Sequence, residues 1–242
     1  MCLRQNKKNG LFITATDTGV GKTLIAGIIA KLLTQQGKSV GVFKPFATGC
    51  RSVRGKLISE DAEFLNWCID NKLTQDIISP VRFRIPASPL ACEKAENKKA
   101  DLKKVFAAYK YICRNNDFVI VEGIGGVKVP ITSNYDVLDY ATVLKLPVVV
   151  VARAKLGTIN HTLLTIEAIR QKGLSLAGIV INGYDDATKD YAEKTNAEII
   201  RKLGKVKILA VVPFDKKINT AKKIISSKAF EVLRKVDWLK LK

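Results

Sequence analysis

A short segment, residues 15–23, combines glycine, lysine and threonine in the order of a phosphate-binding loop. It reads Ala-Thr-Asp-Thr-Gly-Val-Gly-Lys-Thr and lies between an apolar run and an amphipathic run. In such a loop, backbone N–H groups at a helix start point at phosphate oxygens, Lys22 contacts the outer phosphates, and the Thr23 hydroxyl binds Mg²⁺. The strict pattern has a glycine five residues before Gly21, where this sequence has Thr16. Gly-Lys-Thr alone also occurs at ordinary helix starts, but its position after a predicted strand favours nucleotide binding.

A second segment, residues 118–126, places an acid at the end of an apolar run, as Phe-Val-Ile-Val-Glu-Gly-Ile-Gly-Gly. The run predicts a buried strand that ends near Glu122, and the glycines after it let the backbone approach a phosphate. The carboxylate would then lie beside Mg²⁺. Glu122 as a mere turn residue is less favoured, because the acid and the glycines occur together. The residues predicted to bind ATP in the two segments are Thr18, Gly19, Val20, Gly21, Lys22, Thr23, Glu122, Gly123 and Gly125.

Other candidates are weak one at a time and gain weight from their positions. Lys44 could be a surface charge, and Asp61 could be an acid in the first turn of a helix. Ligands of open α/β sheets bind outside the carboxyl ends of the strands. The candidates that follow such ends are the loop at Gly21, Lys44, Glu122, Lys155, Asn182 and Pro213. We therefore expect these side chains at one edge of the sheet.

Short apolar runs alternate with amphipathic runs along the chain. The predicted strands are 11–14, 40–43, 118–121, 147–152, 176–181 and 208–212. The predicted helices are 23–36, 59–71, 101–114, 158–172 and 186–203, and Gly37, Gly173 and Gly204 follow three of them as stop signals. Nearly continuous Val, Ile and Leu is typical of parallel strands covered on both faces. The pattern predicts an α/β fold with an open, mostly parallel β-sheet and helices on both faces.

We expect residues 1–242 to form a single domain, because no repeat, low-complexity tract or interdomain linker interrupts the alternation. Segment 79–97 departs from the pattern and contains Pro80, Pro86 and Pro89. It is predicted to be a long irregular stretch, which in compact domains is usually a functional loop or lid.

The formal charge of +19 has two explanations. A nucleic-acid or membrane-surface protein is one; the other, which we favour, is lysine spread over solvated faces, because no dense basic arm is present. Five widely spaced cysteines argue against a disulfide framework or a zinc site. No run approaches ~20 apolar residues and no apolar signal segment opens the chain, so we expect a cytoplasmic protein with no membrane and no specific nucleic-acid partner. The single histidine, His161, excludes a multi-histidine metal site and is predicted to be a structural or packing residue.

Taken together, the motifs resemble those of the dethiobiotin synthetase family. The family's Gly-Thr-Asp-Thr-x-Val-Gly-Lys-Thr is similar to residues 15–23, and its Lys-Pro-x-x-[Ser/Thr]-Gly is similar to residues 44–49. Its Glu-Gly-Ala-Gly-Gly…Val-Pro is similar to 122–130, its Lys-Leu-Gly-x-Ile-Asn-His to 155–161, and its Gly-x-[Val/Ile]-x-Asn to 178–182. The motifs follow the family's order, and together they are more specific than a generic P-loop NTPase pattern.

The resemblance implies a reaction that joins 7,8-diaminononanoate, CO2 (or bicarbonate) and ATP to give dethiobiotin, ADP and phosphate, through a carbamate and a carbamic–phosphoric anhydride. Mg²⁺ is the implied cofactor, with ATP as co-substrate and no biotin or other prosthetic group. It also implies a homodimer with a shared active site. The implied roles are catalysis for Lys22 and Lys44, metal binding for Thr23, Asp61 and Glu122, ATP binding also for Asp61, Asn182 and Pro213, and diamine binding for Thr48, Ser88, Gly157 and Asn160.

Three positions depart from the family pattern. Ala15 replaces the first loop glycine, which we expect to be harmless if the backbone φ stays negative. Ile124 replaces an alanine, and Leu90 stands where a histidine commonly follows Ser88-Pro89. The basic segment after Pro213 carries no motif that we can interpret.

Two other functions compete with this hypothesis. A partition- or positioning-type P-loop ATPase would suit the +19 charge, but such proteins usually carry an additional lysine early in the loop and lack the segment 44–49. An amide-forming synthetase of the cobalamin type would normally come with a glutaminase domain, for which the chain has no room.

Overall fold

The computed structural model describes residues 9–185, 187 and 190–242. The strands are β1 (Gly10–Ala15), β2 (Val40–Phe43), β3 (Phe46–Ala47), β4 (Arg51–Val53), β5 (Lys56–Ile58), β6 (Val81–Arg82), β7 (Phe118–Glu122), β8 (Pro130–Thr132), β9 (Tyr135–Asp136), β10 (Val148–Arg153), β11 (Leu176–Tyr184) and β12 (Ile208–Pro213). The α-helices are α1 (Lys22–Gln35), α2 (Glu60–Cys68), α3 (Gln75–Ile78), α4 (Pro89–Glu96), α5 (Leu102–Asn115), α6 (Val137–Leu144), α7 (Thr158–Gln171), α8 (Tyr191–Gly204) and α9 (Ser227–Arg234). A 3₁₀ turn follows at Trp238–Lys240. Among the described residues, no helix is long and apolar enough to cross a membrane.

Six strands form the central sheet, in the order β12-β11-β10-β1-β7-β2. Every neighbouring pair in it is parallel. The carboxyl ends of all six strands therefore open on the same edge. The register of β1 against β7 pairs Ile13 with Glu122, which brings the end of β7 beside the start of the loop after β1.

Apolar side chains cover the sheet on both faces. Alternation along β1 sends Leu11 and Ile13 into one core and Phe12 into the other. The first core contains residues of α1, α2 and α9, and the second contains residues of α5, α6, α7 and α8. The predicted fold class, an open parallel sheet with helices on both faces, is confirmed.

Helix ends differ from the predictions by a few residues, for identifiable reasons. The predicted start of the fifth helix, residue 186, lies outside the described residues; α8 begins at Tyr191, where the Asp190 side chain accepts a hydrogen bond from the backbone N–H of Ala192. Gly204 is the last residue of α8, and Lys205 takes the left-handed conformation (φ 44°) instead. A Cβ on Gly204 would lie 2.8 Å from Ile166 Cδ1. This glycine thus permits close packing of α8 on α7, and its prediction as a stop signal was wrong.

Segment 79–97 was predicted to be irregular and is only partly so. It contains the two-residue strand β6 and the eight-residue helix α4. Ser88 caps that helix and Pro89 is its first residue, a position where proline has no N–H to lose. Of the three prolines that predicted an irregular stretch, Pro89 therefore begins a helix.

Candidate nucleotide and metal site

A cavity of about 910 Å³ opens at the carboxyl edge of the sheet. Its walls come from the segments after β1, β2, β7 and β12, from the carboxyl end of β11 and from the segment before α4. Twelve of the predicted site residues line it: Thr18, Gly19, Gly21, Lys22, Thr23, Lys44, Thr48, Asp61, Ser88, Gly125, Asn182 and Pro213. The edge predicted from strand order is therefore where these side chains meet.

The loop between β1 and α1 has the shape that phosphate binding needs. Gly21 precedes α1 with φ 94°, and a Cβ there would lie 2.1 Å from Asn182 Nδ2. The same Asn182 nitrogen donates to the carbonyl of Val20 at 2.8 Å. Asn182 thus packs on the loop, which only glycine permits at position 21. Ala15 is buried at the end of β1 and does not have a positive φ, so the backbone condition under which we expect alanine to be harmless is met.

Below the loop, Lys44 and Glu122 form a buried ion pair. Lys44 Nζ lies 2.6 Å from Glu122 Oε1 and 2.9 Å from Asp61 Oδ2, and it also donates to the carbonyl of Gly123 at 3.2 Å. Thr23 Oγ1 donates to Glu122 Oε1 at 2.8 Å. Lys44 is only 3% exposed and Glu122 is fully buried. Lys44 is therefore not a surface charge, and Glu122 is not a mere turn residue. Asp61 is both a first-turn acid of α2 and a partner of Lys44.

The cluster holds its charges by mutual interaction. Burial by itself would lower the pKa of Lys44, but Asp61 and Glu122 more than offset this and raise that pKa above its usual range. The charge of Lys44 lowers the pKa of the Asp61 carboxyl. Burial, and then the charge of Lys44, lower the pKa of Lys22 to about 8. At the phosphate end, the formal charges of Lys22 and Lys44 thus cancel those of Asp61 and the buried Glu122.

The chemistry of these donors fits Mg²⁺. Glu122 Oε2 is buried and has no hydrogen-bond partner among the described residues. With the Thr23 hydroxyl and the Asp61 carboxylate beside it, oxygen is the only ligand type offered, as Mg²⁺ prefers. No group of three or more His, Cys, Asp or Glu that could hold a metal occurs in the described part of the chain. Further ligands would therefore be phosphate oxygens and water, which is usual for Mg²⁺ at a nucleotide.

The far end of the cavity was missed by the sequence analysis. Segment 214–221, which follows β12, lines it with Phe214, Asp215, Ile218, Asn219, Thr220 and Ala221. The signal that could have found it is its position, since it follows the carboxyl end of a strand as the other site segments do. The segment after Pro213 matches no motif, so motifs alone assign it no role.

The start of α7 lies apart from this cavity. Gly157 precedes the helix with φ 89°, and neither it nor Asn160 is among the residues that line the cavity. Leu156 and Leu164 are 81% and 58% exposed, and His161 is exposed too. Of the two roles predicted for His161, structural or packing, the packing role is therefore wrong for the single chain. Of the remaining predicted residues, Val20, Glu122 and Gly123 lie directly behind the lining and make the contacts given above.

A parallel sheet whose first strand leads through a glycine loop into Lys-Thr and a helix, with a buried acid on the neighbouring strand, defines a P-loop nucleotide-binding protein. Solved structures agree on the fold. The MinD cell division protein of Aquifex aeolicus superposes with a TM-score of 0.59 at 14% identity, covering 93% of both chains. The cell division ATPase MinD of Pyrococcus furiosus gives 0.56 at 17% identity, covering 93% of this chain and 96% of that one. At such identities the likeness shows the fold alone.

Sequence comparison then identifies the family. The family profile described as AAA domain (AAA_26) matches residues 9–222. The chain is 37% identical over 222 residues to the ATP-dependent dethiobiotin synthetase BioD of Thermodesulfovibrio yellowstonii, covering 89% of this chain and 92% of that protein. It is 40% identical to those of Bacillus subtilis, covering 84% and 87%, and of Methanocaldococcus jannaschii, covering 84% and 92%. The chain belongs to the dethiobiotin synthetase family.

Proposed function

We propose that the chain is an ATP-dependent dethiobiotin synthetase, a cyclo-ligase of biotin biosynthesis. It joins 7,8-diaminononanoate, CO2 and ATP into dethiobiotin, ADP and phosphate. The observation that carries this function is the position of Lys44: a buried ammonium, held beside the phosphate loop, that lines the same cavity as Thr48 and Ser88. An anionic carboxylated substrate needs fixed positive charge beside the phosphates, and a lysine that shares the cavity with Thr48 and Ser88 is placed to supply it.

The reaction takes three steps. One amine of the substrate forms an N–C bond to CO2 and loses a proton, which gives a carbamate. A carbamate oxygen then attacks the γ-phosphorus, the bond to the β–γ bridging oxygen breaks, and ADP leaves. The second amine attacks the carbonyl carbon of the resulting anhydride, loses a proton and expels phosphate, which closes the five-membered ureido ring.

The two lysines bring anions together. Carbamate and triphosphate repel each other, so their approach requires fixed positive charge. Lys22, in the loop after β1, is placed for the β- and γ-phosphates. Lys44, at the end of β2, lies on the other side of Glu122 and would contact the carbamate and the transferred phosphoryl group. Lysine suits both positions because it is a compact point charge.

Thr23, Asp61 and Glu122 would hold Mg²⁺. Bound there, the ion neutralises charge that develops on the phosphate oxygens during transfer. The unpartnered Glu122 Oε2 supports this proposal, because a buried carboxylate oxygen without a donor is costly unless a cation uses it.

The remaining roles concern the ends of the substrates. Asn182 and the backbone near Pro213 would bind adenine at the far end of the cavity. Segment 79–97, which reaches the cavity through Pro86, Ala87 and Ser88, would help keep water from the anhydride. We also propose a cytoplasmic location, supported by the free thiols of Cys50, Cys68 and Cys92.

We further propose a homodimer in which the substrate carboxylate binds at the partner's α7. Free N–H groups at a helix start and the positive end of its dipole favour a carboxylate. In this chain the start of α7, at Gly157, is exposed and flanked by the exposed Leu156 and Leu164. If two copies associate through these leucines, Gly157 and Asn160 of one copy would approach the carboxylate end of the diamine bound to the other.

Phosphate release measured with omitted components tests the function. Turnover should require diaminononanoate, bicarbonate, ATP and Mg²⁺ together, and the product should be dethiobiotin by mass spectrometry. The matched arms replace the diamine by double-stranded DNA or by anionic lipid vesicles, which a partition-type ATPase would use. Equal ATP hydrolysis in those arms would reject the synthetase.

A further inference from the structure

Lys44 uses all of its hydrogen-bonding capacity on the floor of the cavity. An ammonium group has three protons. In the structure they face Glu122 Oε1 at 2.6 Å, Asp61 Oδ2 at 2.9 Å and the Gly123 carbonyl at 3.2 Å. Lys44 in this position has no proton left for a ligand, although its side chain borders the cavity.

Two of these three oxygen-bearing groups are the carboxylates that we propose for Mg²⁺. The third proposed ligand, the Thr23 hydroxyl, donates to the same Glu122 Oε1 that Lys44 contacts, while Glu122 Oε2 has no partner among the described residues. Mg²⁺ binds oxygens at about 2.0–2.1 Å in near-octahedral geometry. A divalent ion at that distance from Asp61 and Glu122 would lie within a few ångströms of the ammonium, where like charges repel strongly in a buried site.

The charge balance of the cavity leads to the same conclusion. At the phosphate end, the charges of Lys22 and Lys44 cancel those of Asp61 and Glu122, so a divalent ion that arrives there without nucleotide meets no net negative charge from these four side chains. A nucleoside triphosphate changes that balance, because its phosphates supply further negative charge and oxygen ligands. Removal of the Lys44 charge by substitution would also leave a net negative charge at Asp61 and Glu122.

From these contacts we propose that Lys44 and Mg²⁺ exchange at the Asp61–Glu122 pair, so that the ammonium fills the metal position until a metal–nucleotide complex displaces it. Displacement turns the Lys44 protons into the cavity, towards Thr48, where the carbamate binds under the proposed function. Binding of the metal at Asp61 and Glu122 and movement of Lys44 into the cavity then occur together. A metal bound without nucleotide, and a lysine presented without metal, are both disfavoured.

Binding of Mn²⁺ as a probe tests the exchange without turnover. The free Mn²⁺ signal in electron paramagnetic resonance gives the affinity of the full-length chain with no nucleotide and no diamine present. We expect weak binding by the unaltered chain and at least about tenfold tighter binding by Lys44→Met, the scale on which neighbours of metal ligands change metal affinity. Asp61→Asn added to Lys44→Met should remove the gain.

Lys22→Met is the matched control, because it deletes one buried positive charge from the same cavity. Lys22 makes no ion pair with Asp61 or Glu122 within the described part of the chain. If Lys22→Met raises the Mn²⁺ affinity as much as Lys44→Met does, the effect comes from the loss of any positive charge in the cavity, and the exchange is overturned. Equal Mn²⁺ affinity in Lys44→Met and the unaltered chain, both folded by circular dichroism, would also overturn it.

The unaltered chain provides a second test should Lys44→Met fail to fold. A non-hydrolysable ATP analogue should raise its Mn²⁺ affinity at least about tenfold, and tight Mn²⁺ binding without nucleotide would overturn the exchange. The inference rests on the proposed metal ligands of the synthetase, but no arm contains diaminononanoate. If the expected changes in Mn²⁺ affinity are absent while turnover still depends on the diamine, the exchange is rejected and the proposed function stands.

Discussion

The phosphate end of the cavity and the start of α7 differ in how completely a single chain builds them. At the phosphate end, Lys44 is 3% exposed and each of its protons has a partner in the same chain. At α7, Leu156 is 81% exposed and Leu164 is 58% exposed. Both regions follow the carboxyl end of a strand of the same sheet.

The contrast shows which part of a site needs precision within one chain. Buried charges are stable only with fixed partners, so the phosphate end is held by β1, β2 and β7, which are neighbours in the sheet. An apolar surface without cover gains free energy when another surface buries it. The start of α7 therefore has the properties expected of a region completed by a second copy.

The largest effect is expected from Lys44→Ala. Loss of one preorganised charge contact commonly costs ~100-fold or more in turnover, and the affinity for ATP measured without Mg²⁺ should change little because the phosphate loop is untouched. Lys22→Ala, its counterpart in the loop, should weaken ATP binding as well. Steady-state kinetics and nucleotide titration measure both quantities. Full activity of Lys44→Ala would remove that lysine from the reaction.

Complementation between two inactive chains tests the other side of the comparison. Lys22→Ala and Gly157→Pro should each be inactive alone, since one damages the phosphate end and the other the start of α7. A mixed dimer would regain one intact composite site of two, so random mixing should restore about a quarter of normal activity. Recovery of none, with mixed dimers formed and both chains folded, would place the carboxylate site within one chain.

The two carboxylates should differ in their effect on metal use. Glu122→Gln and Asp61→Asn should both raise the Mg²⁺ concentration needed for half-maximal turnover, by about tenfold for Glu122→Gln. The smaller rise is expected for Asp61→Asn, because the Asp61 side chain is 43% exposed and that of Glu122 is fully buried. Urea unfolding controls for lost stability. Unchanged Mg²⁺ titrations in both variants would remove them from the metal site.

The smallest effects concern the loop glycines. Gly21→Ala and Gly19→Ala both place a side chain at positive φ, 94° and 74°, at a cost of about 1–2 kcal/mol. Gly21→Ala must also displace the Asn182 amide and break its bond to Val20, whereas a Cβ at Gly19 meets nothing within 4 Å. Gly21→Ala should therefore lose about 1 kcal/mol more stability in urea unfolding. Equal losses would show that the Asn182 contact contributes nothing.

Much of the site could be predicted because its parts depend on local pattern and strand order. Lys22, Glu122 and Asn182 each follow an apolar run that folds as a parallel strand, and parallel strands share one carboxyl edge. Segment 214–221 follows the same rule but matches no motif, so it was missed. The prediction of an irregular segment 79–97 is wrong over residues 89–96, because Pro89 is the first residue of α4 and does not interrupt it.

From the sequence alone, the fold class, the phosphate loop and the resemblance to the dethiobiotin synthetases could be determined, because hydrophobic periodicity and motif order are properties of the sequence itself. The contacts between individual side-chain atoms could not be determined from the sequence. The two carboxylates on Lys44 come from residues 61 and 122, far apart in the chain, and only the packing of α2 and β7 around β2 brings them within 2.9 Å of one ammonium. A hydrogen bond depends on distances of a few tenths of an ångström, and those distances are set by the tertiary structure.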